Sequence, residues 1–322
     1  MKLHILLLSA WAGMVAVAAL QGACAAPYVV GDRVFPATPT TDYPFVADAA
    51  YASVARLRQG APDRATRETD FGFGLEKRIT ADLGLDLDGA YKRLAPGADG
   101  NAYGFDNFEA TLKYQLFLND PHEFLLSIGV SREFGGTGAA GVGAEAVSAT
   151  TPTVYFGKGF GDLPDGLKYL RPLAITGLIG YRIPDQPQRS TTVTDAATGA
   201  RSLEIDHTPN QLVAGFALEY SLRYLQGNVA YVGLPSFIGR LTPLVEVKLA
   251  TPTGTSFGTP TTGIIAPGLI YSQNGIDFGV EALIPATRQS GTNVGFIASL
   301  HIPFDAFLPA VASKPLFGGE RP

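Results

Sequence analysis

The clearest pattern in this sequence is a pair of neighbouring segments, between Thr66 and Leu94, in which apolar residues alternate with small or charged ones. Phe71 and Phe73 occupy alternate positions of the first segment, and Leu85 and Leu87 do so in the second. Successive side chains of a β-strand point to opposite faces, so each segment is predicted to be a strand with one apolar and one polar face. The short link between them leaves room only for a tight turn, which makes the pair a hairpin.

The same kind of pattern returns along most of the chain. Asp48–Arg58 alternates less cleanly and fits either a helix or a first strand, but an even strand number requires a strand there. The sequence therefore predicts an all-β fold, an antiparallel up-and-down transmembrane β-barrel of about 12 strands within a range of roughly 10–14. A soluble β-sandwich shows similar alternation and is the alternative. The other predicted strands are 108–118, 124–133, 152–160, 173–182, 212–222, 244–251, 264–272, 276–284 and 294–304.

The predicted connections alternate in length. Short turns on one side and long loops on the other are typical of outer-membrane barrels, and a sandwich does not predict that asymmetry. Two connections on the side of the short turns, 161–168 and 226–240, are longer than turns and are exceptions to this pattern. The short turns are 79–81, 119–122 and 273–275, and the long loops are 135–148, 184–207 and 253–262.

Residues 1–25 have the features of a cleaved secretory signal peptide. Lys2 precedes an apolar run that ends at Leu20, and Ala23-Cys24-Ala25 fits the small-x-small cleavage rule. The apolar run is short for a spanning helix, which needs about 20 residues. Cleavage would remove Cys24, the only cysteine, so the mature chain is expected to form no disulfide.

The exported chain is predicted to have three parts. Residues 26–47 form an irregular, proline-containing lead-in, which could be a periplasmic arm or a partial plug. Residues 48–307 form the barrel, and residues 308–322 form a C-terminal tail. The predicted location is the outer membrane of a Gram-negative cell.

Composition narrows the classes of partner. The chain has 38 Gly and 23 Pro, only 16% charged residues and a net charge of −5. This balance argues against a nucleic-acid partner, which would need a basic patch. No apolar run after residue 25 approaches the length of a spanning helix, so in a membrane the chain must form a closed barrel. The expected partners are outer-membrane lipid and small solutes, and the oligomeric state stays open.

Several motifs resemble those of a known family. They are Arg67-Glu68-Thr69-Asp70-Phe71, Gly159-Phe160-Gly161-Asp162-Leu163, the run from Lys168 to Leu173, the run from Gly279 to Pro285, and the last strand. Together they resemble the proteobacterial outer-membrane proteins grouped as the phenol meta-pathway degradation-like family of proposed transporters. Over residues 65–317, that resemblance implies an outer-membrane barrel that acts as a channel. The family name does not by itself establish an aromatic substrate.

Three motifs suggest other chemistry, and each is better explained by the barrel. Asp86-Leu87-Asp88-Gly89 lacks the remaining ligands of a calcium loop. Gly157-Lys158-Gly159 lacks the Ser/Thr ending and the following helix of a phosphate loop. Ser299 and His301 share one face of the last strand, but no nearby acid in the sequence would orient the histidine. We therefore expect no enzyme activity, no catalytic residues, no cofactor and no metal site.

The inward charges are the remaining functional feature. They predict a polar pore for passive diffusion of small solutes, with a modest preference for cations. A path for hydrophobic or aromatic solutes is the alternative within the transport class. The alternatives are a plugged or structural barrel without transport and a secreted β-sandwich that binds ligands. The predicted pore-lining residues are Glu76, Asp86, Asp88, Lys92, Glu109, Lys113, Glu133, Arg182, Glu219, Arg223, Glu246, Lys248 and Glu281.

Overall fold

A computed structural model of the chain describes residues 28–59, 66–95, 100–194, 201–254, 260–306, 308 and 313–319. Most of these residues belong to one antiparallel sheet of twelve long strands, and the first strand pairs with the last. The sheet is therefore a closed barrel, which confirms the predicted fold class and strand number. The predicted signal peptide, residues 1–25, lies outside the described residues.

Each barrel strand pairs with its neighbour in sequence, so the chain runs up and down around the barrel. The first strand coincides with Asp48–Arg58, and the strand assignment of that segment is confirmed. The strands are β1 (Ala49–Arg58), β2 (Arg67–Arg78), β3 (Leu83–Ala95), β4 (Glu109–Asn119), β5 (Phe124–Glu133), β6 (Ala149–Gly159), β7 (Leu173–Pro184), β8 (Gln211–Tyr220), β9 (Leu241–Pro252), β10 (Thr262–Gln273), β11 (Ile276–Pro285) and β12 (Gly295–Pro303). A short strand, Ala102–Phe105, precedes β4 and pairs with β3.

Apolar side chains cover the outside of the barrel. Phe71, Leu112 and Phe278 are 48%, 42% and 48% exposed, whereas inward neighbours such as Thr111 and Asp277 are buried. The outward set is the one that period-two alternation predicts to face lipid. No helix in the described part of the chain combines the length and the apolar character needed to cross a membrane.

The two ends of the barrel differ. At the turn side, β10 and β11 are joined by Asn274 and Gly275, whose positive φ angles of 53° and 80° suit a two-residue hairpin turn. The longer connections 160–172 and 221–240 lie at the same end, as do the start of β1 and the end of β12. The turns 79–82 and 120–123 also lie at this end, and the loop side carries the other connections between barrel strands. One of these differs from the prediction, because the predicted loop 184–207 contains a hairpin of Gln188–Thr194 and Arg201–His207.

A segment ahead of β1 occupies the inside of the barrel. Residues 28–48, which we call the inner segment, have Tyr28, Phe35 and Phe45 buried in a cluster with Leu125 and Ala174 of the wall. Apart from a small ladder, Val29–Val30 with Arg33–Val34, the segment has no regular secondary structure. Its prolines account for this, since proline cannot donate a backbone hydrogen bond.

Candidate functional site in the barrel lumen

The turn-side half of the lumen is filled by the inner segment, and Arg33 holds its first part. The Arg33 side chain is buried, with its Nε 2.7 Å from Glu123 Oε2 and its Nη1 donating to the Pro172 carbonyl at 3.1 Å. It also donates to the Arg171 carbonyl and lies 4.2 Å from the centre of the Tyr224 ring. A buried guanidinium with this many partners fixes the segment at the turn side.

The middle of the inner segment is held by two glutamates of the wall. The backbone amides of Thr40 and Thr41 donate to the two carboxylate oxygens of Glu246 at 2.9 and 2.7 Å. The Thr40 hydroxyl donates to Glu281 at 2.6 Å. Both glutamates are buried, so these hydrogen bonds replace the water that an open pore would supply.

A buried lysine connects the inner segment to β3 and β4. Lys113 Nζ lies 3.0 Å from Asp42, 3.3 Å from Asp86 and 3.0 Å from the Tyr43 carbonyl oxygen. The Lys113 side chain is only 1% exposed. Its charge is therefore compensated inside the protein and does not face a water-filled channel.

The lumen-facing histidine also belongs to this packing. His301 Nε2 lies 3.3 Å from the Tyr28 hydroxyl, 3.1 Å from the Tyr43 hydroxyl and 3.6 Å from Glu76, and Tyr43 donates to the same glutamate. Ser299 shares the face of β12, but no hydrogen bond joins it to His301 in the described part of the chain. With the histidine buried beneath two tyrosines, the pair does not form a nucleophile and base that a substrate could reach.

The loop-side half of the lumen contains a cavity of about 460 Å³, which we call the chamber. Pro39 and Thr40, at the top of the inner segment, form its floor. Its polar wall includes Asp70, Asp88, Asp106, Asn107, Glu109 and Lys248. Its apolar wall includes Ala55, Ile264, Leu283 and Ile297.

A polar network covers the loop-side half of the lumen next to the chamber. Arg182 Nη2 lies 2.9 Å from Glu133, and the Asn107 amide group donates to the same carboxylate at 2.9 Å. Asn107 also donates to the Glu145 carbonyl and accepts a hydrogen bond from the Gly138 amide. These contacts attach the loop 134–148 to the start of β4.

Two carboxyl groups outside the strands have lowered pKa values. At the loop-side rim, two hydrogen bonds from Arg132 lower the pKa of the exposed Asp185 carboxyl. At the turn side, slight burial tends to raise the pKa of Asp162, but hydrogen bonds from Lys158 and His122 outweigh it and lower that pKa. Both groups lie outside the lumen, so their charges do not line the chamber.

The structure divides the predicted pore-lining residues by height. Six lie buried in the turn-side half: Glu76, Asp86, Lys113, Glu219, Glu246 and Glu281. Six lie on the inward face of the loop-side half: Asp88, Lys92, Glu109, Glu133, Arg182 and Lys248.

Arg223 is the exception, and its placement in the lumen was wrong. Strand β8 ends at Tyr220, and Arg223 is exposed in the short helix Leu222–Tyr224. The Ser221 hydroxyl accepts a hydrogen bond from the Tyr224 amide, which caps this helix and ends the alternation.

Several important residues were not predicted from the sequence. Arg33, Asp42 and Tyr43 belong to the irregular lead-in, where no periodicity marks an inward face. Asp70 lies on the polar face of β2, so its alternation with the outward Phe71 could have predicted that it lines the lumen. Asp106 lies between the short strand Ala102–Phe105 and β4, where alternation cannot indicate which side chains point inward.

The motifs with alternative chemistry lie on barrel strands. Asp86-Leu87-Asp88-Gly89 is in the middle of β3, and its two aspartates point inward with Leu87 exposed outside. Gly157-Lys158-Gly159 ends β6, and Lys158 donates to carbonyl oxygens of the turn side. Within the described residues, no group of histidine, cysteine, aspartate and glutamate side chains could hold a metal ion.

Comparison with known proteins identifies the fold. No family model and no curated protein matches the sequence. An outer membrane channel from Pseudomonas putida F1 matches the structure with a TM-score of 0.51 and 11% identity, covering 84% of this chain and 99% of that one. The chain has the fold of an outer-membrane β-barrel. The KdgM porin (TM-score 0.45, 10% identity, 79% and 99% coverage) and the NanC porin (0.42, 10%, 80% and 98%) are also similar.

Proposed function

We propose that the protein is an outer-membrane channel for small solutes. One combination of features carries this proposal. The outer face of the barrel is apolar, as a lipid-facing surface is, and the loop-side chamber is closed at its floor by the inner segment and not by the barrel wall. In the proposed orientation the long loops point away from the cell, as is usual for outer-membrane barrels, so the chamber opens to the outside and the inner segment faces the periplasm. A solute that enters the chamber crosses the membrane when the inner segment moves aside.

The contacts of the inner segment are compatible with such movement. It is held by hydrogen bonds and ion pairs, such as those of Arg33 and Thr41, and by one apolar cluster, with no covalent link before β1. The strands around it keep their pairing with each other whether the segment is present or displaced, because the sheet is closed. Displacement of the inner segment would therefore break no hydrogen bond between barrel strands.

The solute class is the finer part of the proposal. The chamber has more carboxylates than cationic groups, which favours passive diffusion of small solutes with a modest preference for cations. We also propose membership of the phenol meta-pathway degradation-like family, because several motifs of the sequence resemble it. Hydrophobic or aromatic solutes belong to the same transport class. A plugged structural barrel is the second candidate, supported by the filled turn-side half.

A reversible cross-link tests the channel directly. An ideal Cβ on Gly215 would lie 2.6 Å from Thr41 Cγ2. The Cβ atoms of Thr41→Cys/Gly215→Cys are therefore within about 4 Å, the range of a disulfide. The only natural cysteine is Cys24, in the predicted signal peptide, so the engineered pair has no competitor after cleavage. The measurement is conductance in a planar bilayer under oxidising and then reducing conditions.

We expect low conductance when the disulfide is closed and higher conductance after reduction. The control is Thr41→Cys alone, which should not respond to oxidant or reductant. Equal conductance in both states would show that the inner segment does not block the path. No conductance or solute flux in either state, from a barrel that still shifts on a gel after boiling, would favour the structural barrel.

A further inference from the structure

The chamber has an apolar wall, which is unexpected in the lumen of an outer-membrane barrel, where inward positions are usually polar. Ile264, Leu283 and Ile297 lie on the inward faces of three consecutive strands, β10, β11 and β12, and Ala55 of β1 continues the surface. Pro39 lies below this surface, as part of the chamber floor. A continuous apolar surface beside water marks a place where an apolar group binds.

The adjoining wall, on β2 to β4, carries more negative than positive side chains. Asp106 is paired with Lys92 at 2.7 Å, and Asp88 accepts a hydrogen bond from the Tyr51 hydroxyl at 2.8 Å. Glu109 makes no ion pair or side-chain hydrogen bond within the described part of the chain. The carboxylates of this wall are therefore only partly compensated.

Asp70 adds a second sign of an unfilled polar site. Its Oδ1 is buried and has no hydrogen-bond partner among the described residues. Buried polar atoms are nearly always paired, and an unpaired one in a native protein often marks a place where a ligand or water binds. Lys248 of β9 also lines the chamber. It pairs in register with Ile264, so its ammonium group lies at the edge of the apolar wall.

We infer that the chamber binds amphipathic cations that have a compact apolar body and an ammonium group. This inference rests on the proposed channel function and names its solute class. The apolar body lies against Ile264, Leu283 and Ile297, and the ammonium group donates a hydrogen bond to Asp70, which pairs in register with Ala55 of the apolar wall. Glu109 contributes its negative charge from a greater distance. A volume of about 460 Å³ is within the size range of small-molecule sites, so one aromatic ring with a short alkylammonium chain fits.

Equilibrium binding to the detergent-solubilised barrel tests this inference with four matched probes at pH 8, where ordinary carboxyl groups are ionised. The probes are 2-phenylethylammonium, its neutral analogue 2-phenylethanol, the anion 3-phenylpropionate, and ethylammonium, which lacks the ring. We expect 2-phenylethylammonium to bind most tightly and 3-phenylpropionate most weakly. Equal or tighter binding of the anion would overturn the charge assignment, and equal binding of ethylammonium would overturn the apolar subsite. Absence of binding by all four probes would overturn the inference as a whole.

Substitutions in each wall locate the site. Asp70→Asn should weaken binding of 2-phenylethylammonium by up to about fivefold, the value of a unit charge at about 4 Å in water. Glu109→Gln should have a smaller effect of the same sign, because Glu109 lies further from Asp70 along the wall. Leu283→Ala should weaken it by about fourfold for each methyl or methylene group that no longer touches the probe, and should weaken 2-phenylethanol to the same extent. The matched control is Glu145→Gln, because that exposed side chain lies on the loop 134–148 and does not line the chamber.

The binding measurement is independent of transport. Binding with no conductance in the cross-link experiment would reject the channel and keep the ligand site. Conductance without selective binding would keep the channel and reject the ligand site. If Glu145→Gln weakens binding as much as Glu109→Gln, the effect reflects the general field of the barrel and the site assignment fails.

Discussion

The two halves of the lumen use the same kinds of residue for different purposes. In the turn-side half, charged side chains such as Lys113 and Glu246 are buried and contact the inner segment. In the loop-side half, Glu109 and Lys248 face a cavity and are not paired within the described part of the chain. An inward position therefore does not by itself make a residue part of a pore, because height along the barrel decides whether water or protein is its neighbour.

The comparison also concerns stability. A charge buried among protein groups requires its partner, since loss of the partner leaves an uncompensated ion in a poorly polarisable environment. A charge in a water-filled cavity is solvated and screened, so its partner matters little for folding. Substitutions in the two halves should therefore separate stability from selectivity.

The largest effect is expected at Arg33. Replacing it by methionine keeps the apolar stem but leaves Glu123 buried without its ion pair, which should cost about 3–5 kcal/mol. Lys92→Met in the loop-side half breaks the pairs with Asp106 and Glu68, whose side chains are partly exposed, and should cost about 1 kcal/mol. Urea unfolding in lipid vesicles, followed by the gel shift on boiling, measures both. Similar costs would contradict the distinction between the two halves.

A new arginine should be tolerated only where it meets water. Leu112→Arg places a charge on the outer face and should cost about 2–4 kcal/mol if Leu112 lies near the bilayer midplane. Ala90→Arg, which points into the chamber, should be much milder. The same unfolding measurement compares them, and equal costs would refute the facing of the two strands. Thr111 is not a suitable control, since it faces inward but is buried beside Ser131.

Ion selectivity should distinguish two aspartates of one strand. Asp88 lines the chamber, so Asp88→Asn should lower the ratio of cation to anion permeability by up to about fivefold, from the loss of a unit charge near the path. Asp86 is buried beside Lys113, so Asp86→Asn should leave the ratio unchanged. Reversal potentials in a salt gradient across a planar bilayer give both ratios. An Asp86 effect equal to that of Asp88 would mean that the path also passes through the turn-side half.

The smallest effect is expected at the loop-side rim. Asp185 is exposed and pairs with Arg132, so Asp185→Asn should lower the stability at pH 7 only slightly and leave the conductance unchanged. Because its pKa is lowered in the folded protein, the pair persists at neutral pH and is lost only as the pH falls through that lowered value. Unfolding at pH 7 and at pH 3 should therefore give a small loss of stability at acid pH that the variant does not show. A large loss that is specific to the wild type would make the rim a structural element.

The sequence predicted the barrel well because alternation reports directly on strand facing. Phe71 and Leu112 were identified as outward by period two alone, and the structure exposes both. The weakly patterned Asp48–Arg58 was identified as a strand only through the even strand number of bacterial barrels. The hairpin within 184–207 was missed because few of its residues are apolar and its strands do not join the barrel sheet. One of those apolar residues, Leu203, is 64% exposed.

The division of the lumen could not be predicted in the same way. Glu76 and Glu109 have the same alternation, and only the position of the inner segment separates the buried glutamate from the one in the chamber. That position depends on long-range contacts of Arg33 and Tyr43, which lie in a segment without periodicity. Arg223 was assigned to the lumen for a different reason. The alternation of apolar and polar residues continues past Tyr220, where the strand ends, into residues that form a capped helix.

The attachment of the inner segment to β1 has a kinetic consequence. Asp48, the last residue of the segment, accepts hydrogen bonds from Lys77 and Arg78 of β2, so this end of the segment is anchored to the wall. A tethered segment rebinds as if present at an effective concentration on the order of millimolar, whatever the protein concentration. In the proposed channel, closure would therefore be intramolecular and would need no second molecule.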